Sequence, residues 1–227
     1  MEIPGFRQQI TTLGLDSNFE SLLDFDYLAG QVPVPSAPFM PAEAVTALNS
    51  EMKGASVYLE YGTGGSTMMA SGVANLITVG VESDKQLLDA VKSRLSRPEF
   101  SGRFHFLYAD IGPTKEWGYP TSESAIKKWH RYPMSAWRYM AEHNMSPDLV
   151  LIDGRFRRAC FLSTLIFAKP GTRILFDDYF DRPHYHSVGK FLKPKRAINR
   201  LAEFERPAEV DSNEIWVDFI EAVTDTQ

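Results

Sequence analysis

VYLEYGTGGSTMMASG, residues 57–72, opens as an apolar run closing on Glu60, turns through Gly62, Gly64 and Gly65, and continues as the start of a helix. A strand, a glycine turn and a helix in that order form the opening unit of an open α/β sheet, and the turn presents backbone N–H groups to a ligand. A dinucleotide fingerprint requires a third glycine where Thr67 stands, and a phosphate-cradling loop requires a Gly-Lys-Ser/Thr ending that is missing. The turn therefore suits a ligand that approaches the backbone closely without needing a phosphate, or else is simply a structural turn.

Working outward, SVYLEY (56–61), LITVGVES (76–83), FHFLYAD (104–110), DLVLIDG (148–154) and TRILFDD (172–178) are short apolar runs, each ending in or beside an acid. Helical patterns such as DKQLLDAVKSRL (84–95) and RACFLSTLIFA (158–168) separate them. Near-continuous apolar strands alternating with helices predict a parallel sheet covered on both faces, with ligands at the carboxyl ends of the strands. PAEAVTALNSEM predicts a further helix before the first strand, starting at Pro41. Residues 1–50 read as an extension of one or two helices and an extended proline-rich segment, and residues 51–227 as the domain proper. An aromatic insertion spans about 111–146; within it 117–132 reads as a lid and 133–143 as a helix. RLAEFERPAEV and NEIWVDFIEAV are expected to form a terminal β-hairpin.

The chain has 227 residues, 44% of them hydrophobic and 23% charged, with a net charge of −5. It is long enough to bury a sizeable core, and the acidic balance argues for a small molecule rather than a nucleic acid as partner. Its single cysteine, Cys160, excludes an internal disulfide and lies in an apolar run, so a buried thiol is expected. Lacking a leader-like or membrane-spanning apolar stretch, the chain is expected in the cytoplasm, possible homo-oligomers included.

The pattern Glu60-x-Gly62-x-Gly64-x-Ser66 resembles the first motif of the Rossmann-like, class I S-adenosylmethionine-dependent methyltransferases, nearest to the metal-dependent O-methyltransferases. The resemblance implies a three-layer α/β/α sandwich around a seven-stranded, mostly parallel sheet with an antiparallel terminal strand. It also implies methyl transfer from S-adenosylmethionine to a small molecule, at oxygen, with Glu60, Gly62, Gly64, Ser66, Glu82, Asp110 and Asp153 at the donor. Glu82 suits a vicinal diol because a carboxylate only accepts hydrogen bonds. Asp153, Asp177 and Asp178, at neighbouring strand ends, are expected to bind Mg²⁺; the family's metal branch has further Asp and His residues after its "IDG", where this chain has Arg155, Phe156, Arg157 and Arg158. A metal-free site with Asp178, His184 or His186 as base is the alternative, the arginines then neutralising the acids. An NAD(P)-dependent oxidoreductase and a catalytically idle nucleoside-binding protein of the same fold remain as rival readings.

Overall fold

A computed structural model describes residues 32–227. The helices expected before Pro33 lie outside the described residues; the proline-rich part of the extension, 32–41, runs without regular structure. Helix α1 (Ala42–Lys53) follows, with Ala44, Leu48 and Met52 at helical spacing on its buried face. Strand β1 (Val57–Tyr61), helix α2 (Gly65–Ser71), strand β2 (Ile77–Glu82), helix α3 (Lys85–Arg94) and strand β3 (Phe104–Tyr108) form the first half. Helix α4 (Arg131–Glu142), strand β4 (Leu149–Ile152), helix α5 (Arg157–Phe167) and strand β5 (Arg173–Phe176) continue it. Strands β6 (Arg196–Ile198) and β7 (Leu201–Glu205) and helix α6 (Ser212–Ala222) close the chain.

The seven strands lie in the order β3-β2-β1-β4-β5-β7-β6. All pairs from β3 to β5 are parallel; β7 is antiparallel to both β5 and β6. β7 is thus the one reversed strand of a three-layer α/β/α sandwich. The period of two in β1 shows how the layers form: Tyr58 faces a core with Leu48, Met52 and Ala70, whereas Leu59 and Tyr61 face the opposite core with Trp137, Phe161 and Phe176. Cys160 is buried in the second core, as expected. The chain order reverses at β1, which has β2 on one side and β4 on the other, so the crevice outside their carboxyl ends is where an α/β sheet accepts a ligand.

The expected terminal hairpin is corrected: 201–205 pairs backwards with 196–198, and the residues read as its second strand form α6. Asp211 caps that helix, accepting from the N–H of Asn213 at 3.0 Å and of Glu214 at 3.4 Å. Ile215, Phe219 and Ala222 repeat every three or four residues and are buried; Trp216, Val217 and Ile220, the β-prone residues that suggested a strand, lie on its outer face. The insertion's helix begins at Arg131, two residues before the expected Pro133, with His143 as its C-cap.

Candidate functional site

Gly62 leaves β1 with φ of 95°, a conformation that favours glycine, and its N–H donates to the carbonyl of Val81 at 2.9 Å. A Cβ on Gly62 would lie 2.8 Å from the Cα of Gly154, which leaves β4. A Cβ on Gly154 would collide with the hydroxyl of Tyr132 and with Gly62. The two strand ends therefore meet with no side chain between them. Gly64 is different: a Cβ there would meet nothing within 4 Å, so its face is open. Gly65 is covered, because the backbone of Ala37 and Pro38 occupies the space of its missing side chain. The extension thus crosses the start of α2.

Glu60 braces this turn from beneath. Fully buried, it accepts from the hydroxyls of Ser66 (2.8 Å), Tyr58 (3.1 Å) and Thr67, while Thr67 in turn accepts from the N–H of Gly64 at 2.8 Å. Burial pushes the Glu60 carboxyl up to about 7, against the lowering effect of those three hydroxyls. Both Glu60 and Ser66, expected at the ligand, direct their side chains at each other and so hold the glycine turn.

Glu82, buried at the end of β2, is fixed by three backbone N–H groups: Ser83 at 2.7 Å and Asp84 at 2.8 Å on one oxygen, Thr63 at 3.0 Å on the other. The hydroxyl of Thr63 lies 3.3 Å from that second oxygen, where an incoming hydroxyl would compete with it. Burial raises the Glu82 carboxyl and the N–H groups oppose this. Over Glu82 lies the first part of the insertion. Trp117 and Gly118, both at positive φ, turn the chain so that the Gly118 carbonyl accepts from Ser83 Oγ at 3.3 Å. Trp117 is 67% exposed and touches the ring of Phe39 edge-on at 6.1 Å. The second part is not lid: Trp129 and Tyr132 belong to the core, and Trp129 donates to the Ile111 carbonyl at 3.2 Å. Asp110, expected near the donor, pairs with Lys128 at 2.8 Å and Arg131 at 3.4 Å, both in the insertion.

The acids after β4 and β5 do converge, and guanidinium groups stand among them. Arg157 bonds Asp153 and Asp178, each at 3.1 Å, and donates to the carbonyls of Asp153, Gly154 and Asp177. Arg200 grips Asp177 with both Nε (3.1 Å) and Nη2 (2.8 Å), and also reaches Asp178 at 3.1 Å and the Phe39 carbonyl. Arg182 adds a third contact to Asp178 at 2.9 Å. The Mg²⁺ expectation finds no support: arginines pair with all three acids, and among the described residues no group of His, Cys, Asp and Glu is arranged as a metal cage. Asp153 remains the most accessible of the three, its side chain 27% exposed. Burial, and then the neighbouring Asp177, raise its carboxyl well above the usual range; Asp177 is raised by burial and by Asp178.

His184 and His186 lie on the exposed turn of 3-10 helix after β5 (Pro183–Lys190), and His186 Nε2 is 2.9 Å from the Tyr179 carbonyl. His105 faces Tyr139 at 2.9 Å, away from the crevice. One side chain escaped the sequence reading as a ligand group: Arg155, buried, lies with its guanidinium 4.0 Å from the centre of the Tyr119 ring and its Cγ beside Gly118. The only available signal was the RFRR run directly after "IDG".

Among solved structures, the chain is similar to a methyltransferase-like protein from Silicibacter pomeroyi DSS-3, with 35% identity over 84% of this chain and 99% of that one and a TM-score of 0.76. It shares its fold with an O-methyltransferase from Bacillus cereus in complex with SAH, at 17% identity over 81% of each chain and a TM-score of 0.50. No protein-family model and no curated protein matches it.

Proposed function

Because this chain belongs to the Rossmann-like, class I S-adenosylmethionine-dependent methyltransferase family, we propose that it moves a methyl group from S-adenosylmethionine to an oxygen of a small molecule. The observation that carries the reading is the open face of Gly64 at the β1/β4 reversal, flanked by the fixed carboxylate of Glu82 and the accessible one of Asp153.

The residues fit the donor. Glu82, held by N–H groups that leave lone pairs over, is an acceptor-only partner for a ribose diol, and the Thr63 hydroxyl yields its place on that oxygen. Gly62 and Gly64 allow close approach of the backbone. When bound, S-adenosylmethionine supplies a methyl group made electrophilic by its sulfonium. The chain's own contribution is to orient the acceptor, which is worth several kcal/mol of barrier in well-aligned systems, and to remove its proton. Asp153 suits the proton removal, because it is the most accessible of the three acids and Arg157 fixes one of its oxygens. Asp178, enclosed by Arg157, Arg182 and Arg200, has little capacity left for a substrate proton. Trp117, Gly118 and Tyr119 cover the Glu82 side and limit water there.

Thermal denaturation with S-adenosylhomocysteine, NAD and NADP tests this reading. S-adenosylhomocysteine is expected to raise the melting temperature and the nicotinamide cofactors to leave it unchanged. Glu82→Ala is expected to weaken S-adenosylhomocysteine binding by about 1–3 kcal/mol, the value of hydrogen bonds to a charged acceptor. Stabilisation by NAD alone overturns the proposal.

A further inference from the structure

We propose that Arg155 forms an anion-binding subsite between the loop after β4 and the insertion, and that it takes a carboxylate of the methyl acceptor. The naming of the acceptor rests on the methyl-transfer reading; the subsite itself does not.

Arg155 is only 6% exposed, yet its Nε and Nη1 have no hydrogen-bond partner among the described residues. The other arginines near the crevice, Arg157, Arg182 and Arg200, are paired with acids. Burying a guanidinium without a partner is costly, because donors taken from water must be satisfied elsewhere. Its burial is nonetheless secured from several sides. Its backbone N–H lies 3.3 Å from Tyr132 Oη, its carbonyl accepts from Cys160 Sγ at 3.4 Å, and the next residue, Phe156, is locked at φ 53° inside the core. The guanidinium stacks on Tyr119 at 4.0 Å, which fixes its plane. A donor group held in place but unpaired is the free half of a binding site.

A carboxylate matches that half. The planar fork of arginine pairs with carboxylate and phosphate alike. Glu82 lies near: its Oε1 and the Arg155 Cγ are 3.6 and 3.7 Å from the position a Cβ on Gly118 would take. A doubly charged phosphate would meet that carboxylate, whereas a singly charged group is balanced by one guanidinium. Arg155 extends toward Gly118 and Tyr119 of the insertion, which cover the Glu82 side of the crevice. With the glycine turn and Glu82 given to the donor, the acceptor is the group assigned to Arg155.

The test compares acetate, benzoate and 4-hydroxybenzoate with acetamide, benzamide and 4-hydroxybenzamide. Binding to the full chain is followed by ligand-observed NMR, with and without S-adenosylhomocysteine, for the wild type and Arg155→Gln. At least one acid is expected to bind tenfold or more tightly than its amide, and Arg155→Gln to abolish that preference while changing S-adenosylhomocysteine affinity less than twofold. The variant is also expected to melt no more than a few degrees below the wild type, because no ion pair is lost with the guanidinium. No preference for any acid, or a preference that survives in Arg155→Gln, overturns the subsite. A tenfold loss of S-adenosylhomocysteine affinity in the variant overturns its assignment to the acceptor. Should the wild type bind no S-adenosylhomocysteine, the methyl-transfer reading fails, and the acid-to-amide comparison on the free protein still decides the role of Arg155.

Discussion

Gly62 and Gly154 stand back to back at the ends of adjacent parallel strands, each lying in the space the other's side chain would need. This contact sets the depth of the crevice, because any methyl group there would push β1 and β4 apart or fill the gap between them. Gly62→Ala is expected to destabilise the protein by about 2–4 kcal/mol, combining an unfavourable positive φ with a backbone collision. Gly154→Ala is expected to be similarly harmful, and Tyr132→Phe to restore part of the loss by removing the colliding hydroxyl. Urea denaturation of the two single variants and the double variant checks both statements; a Gly62→Ala midpoint equal to that of the wild type contradicts the close approach.

Glu60 makes stability depend on pH in a direction opposite to that of most carboxylates. Its carboxyl is raised by burial from the ordinary 4.5 to about 7 in the folded state, so the folded chain holds a proton that the unfolded chain has released. The contribution is fully present below about 4.5 and is lost as pH rises through 7, the unfolded state binding fewer protons across that window. The loss is at most on the order of 3 kcal/mol. Glu60→Gln, which cannot ionise, is expected to gain stability relative to the wild type as pH rises from 4.5 to 8. Parallel stability curves for the two proteins would show that Glu60 is ionised in the fold.

Arg157 is the shared partner of Asp153 and Asp178, and its side chain is only 4% exposed. Arg157→Leu is expected to lower stability by about 3–5 kcal/mol, the effect of leaving buried charges uncompensated. With the arginines in place, calorimetric titration of Mg²⁺ into the chelator-treated protein is expected to give no binding below millimolar concentration. Tight Mg²⁺ binding by the wild type would mean that Arg157, Arg182 or Arg200 releases its acid.

The sheet and the crevice were legible because both follow from local pattern. Five apolar runs closing on acids place Glu82, Asp153, Asp177 and Asp178 at one edge whatever the details of packing. What each acid does there was not legible, since partners come from distant parts of the chain: Arg200 arrives from the β6–β7 turn and Lys128 from the insertion. Glu60 looks like a ligand group in a motif, but its neighbours on the folded turn are hydroxyls. The last helix was mistaken for a strand because Trp216, Val217 and Ile220 outweighed the period of Ile215, Phe219 and Ala222; the Asp211 cap, with Glu214 three residues on, was the contrary sign. Arg155 could be placed only by knowing that Tyr119 folds over it.

The position of Arg200 bears on the order in which the protein can be completed during synthesis. It lies in the turn joining β6 to β7, bonds Asp177 and Asp178 beyond β5, and reaches back to the carbonyl of Phe39 in the extension. A nascent chain that has emerged only as far as β5 carries both acids without this countercharge, and β5 still lacks its neighbour β7 on that side. The acids are made before Arg200, so the crevice reaches its final charge only after the β6–β7 hairpin has left the ribosome. Contacts of such long sequence separation form late and slowly, which leaves the earlier strands exposed until then.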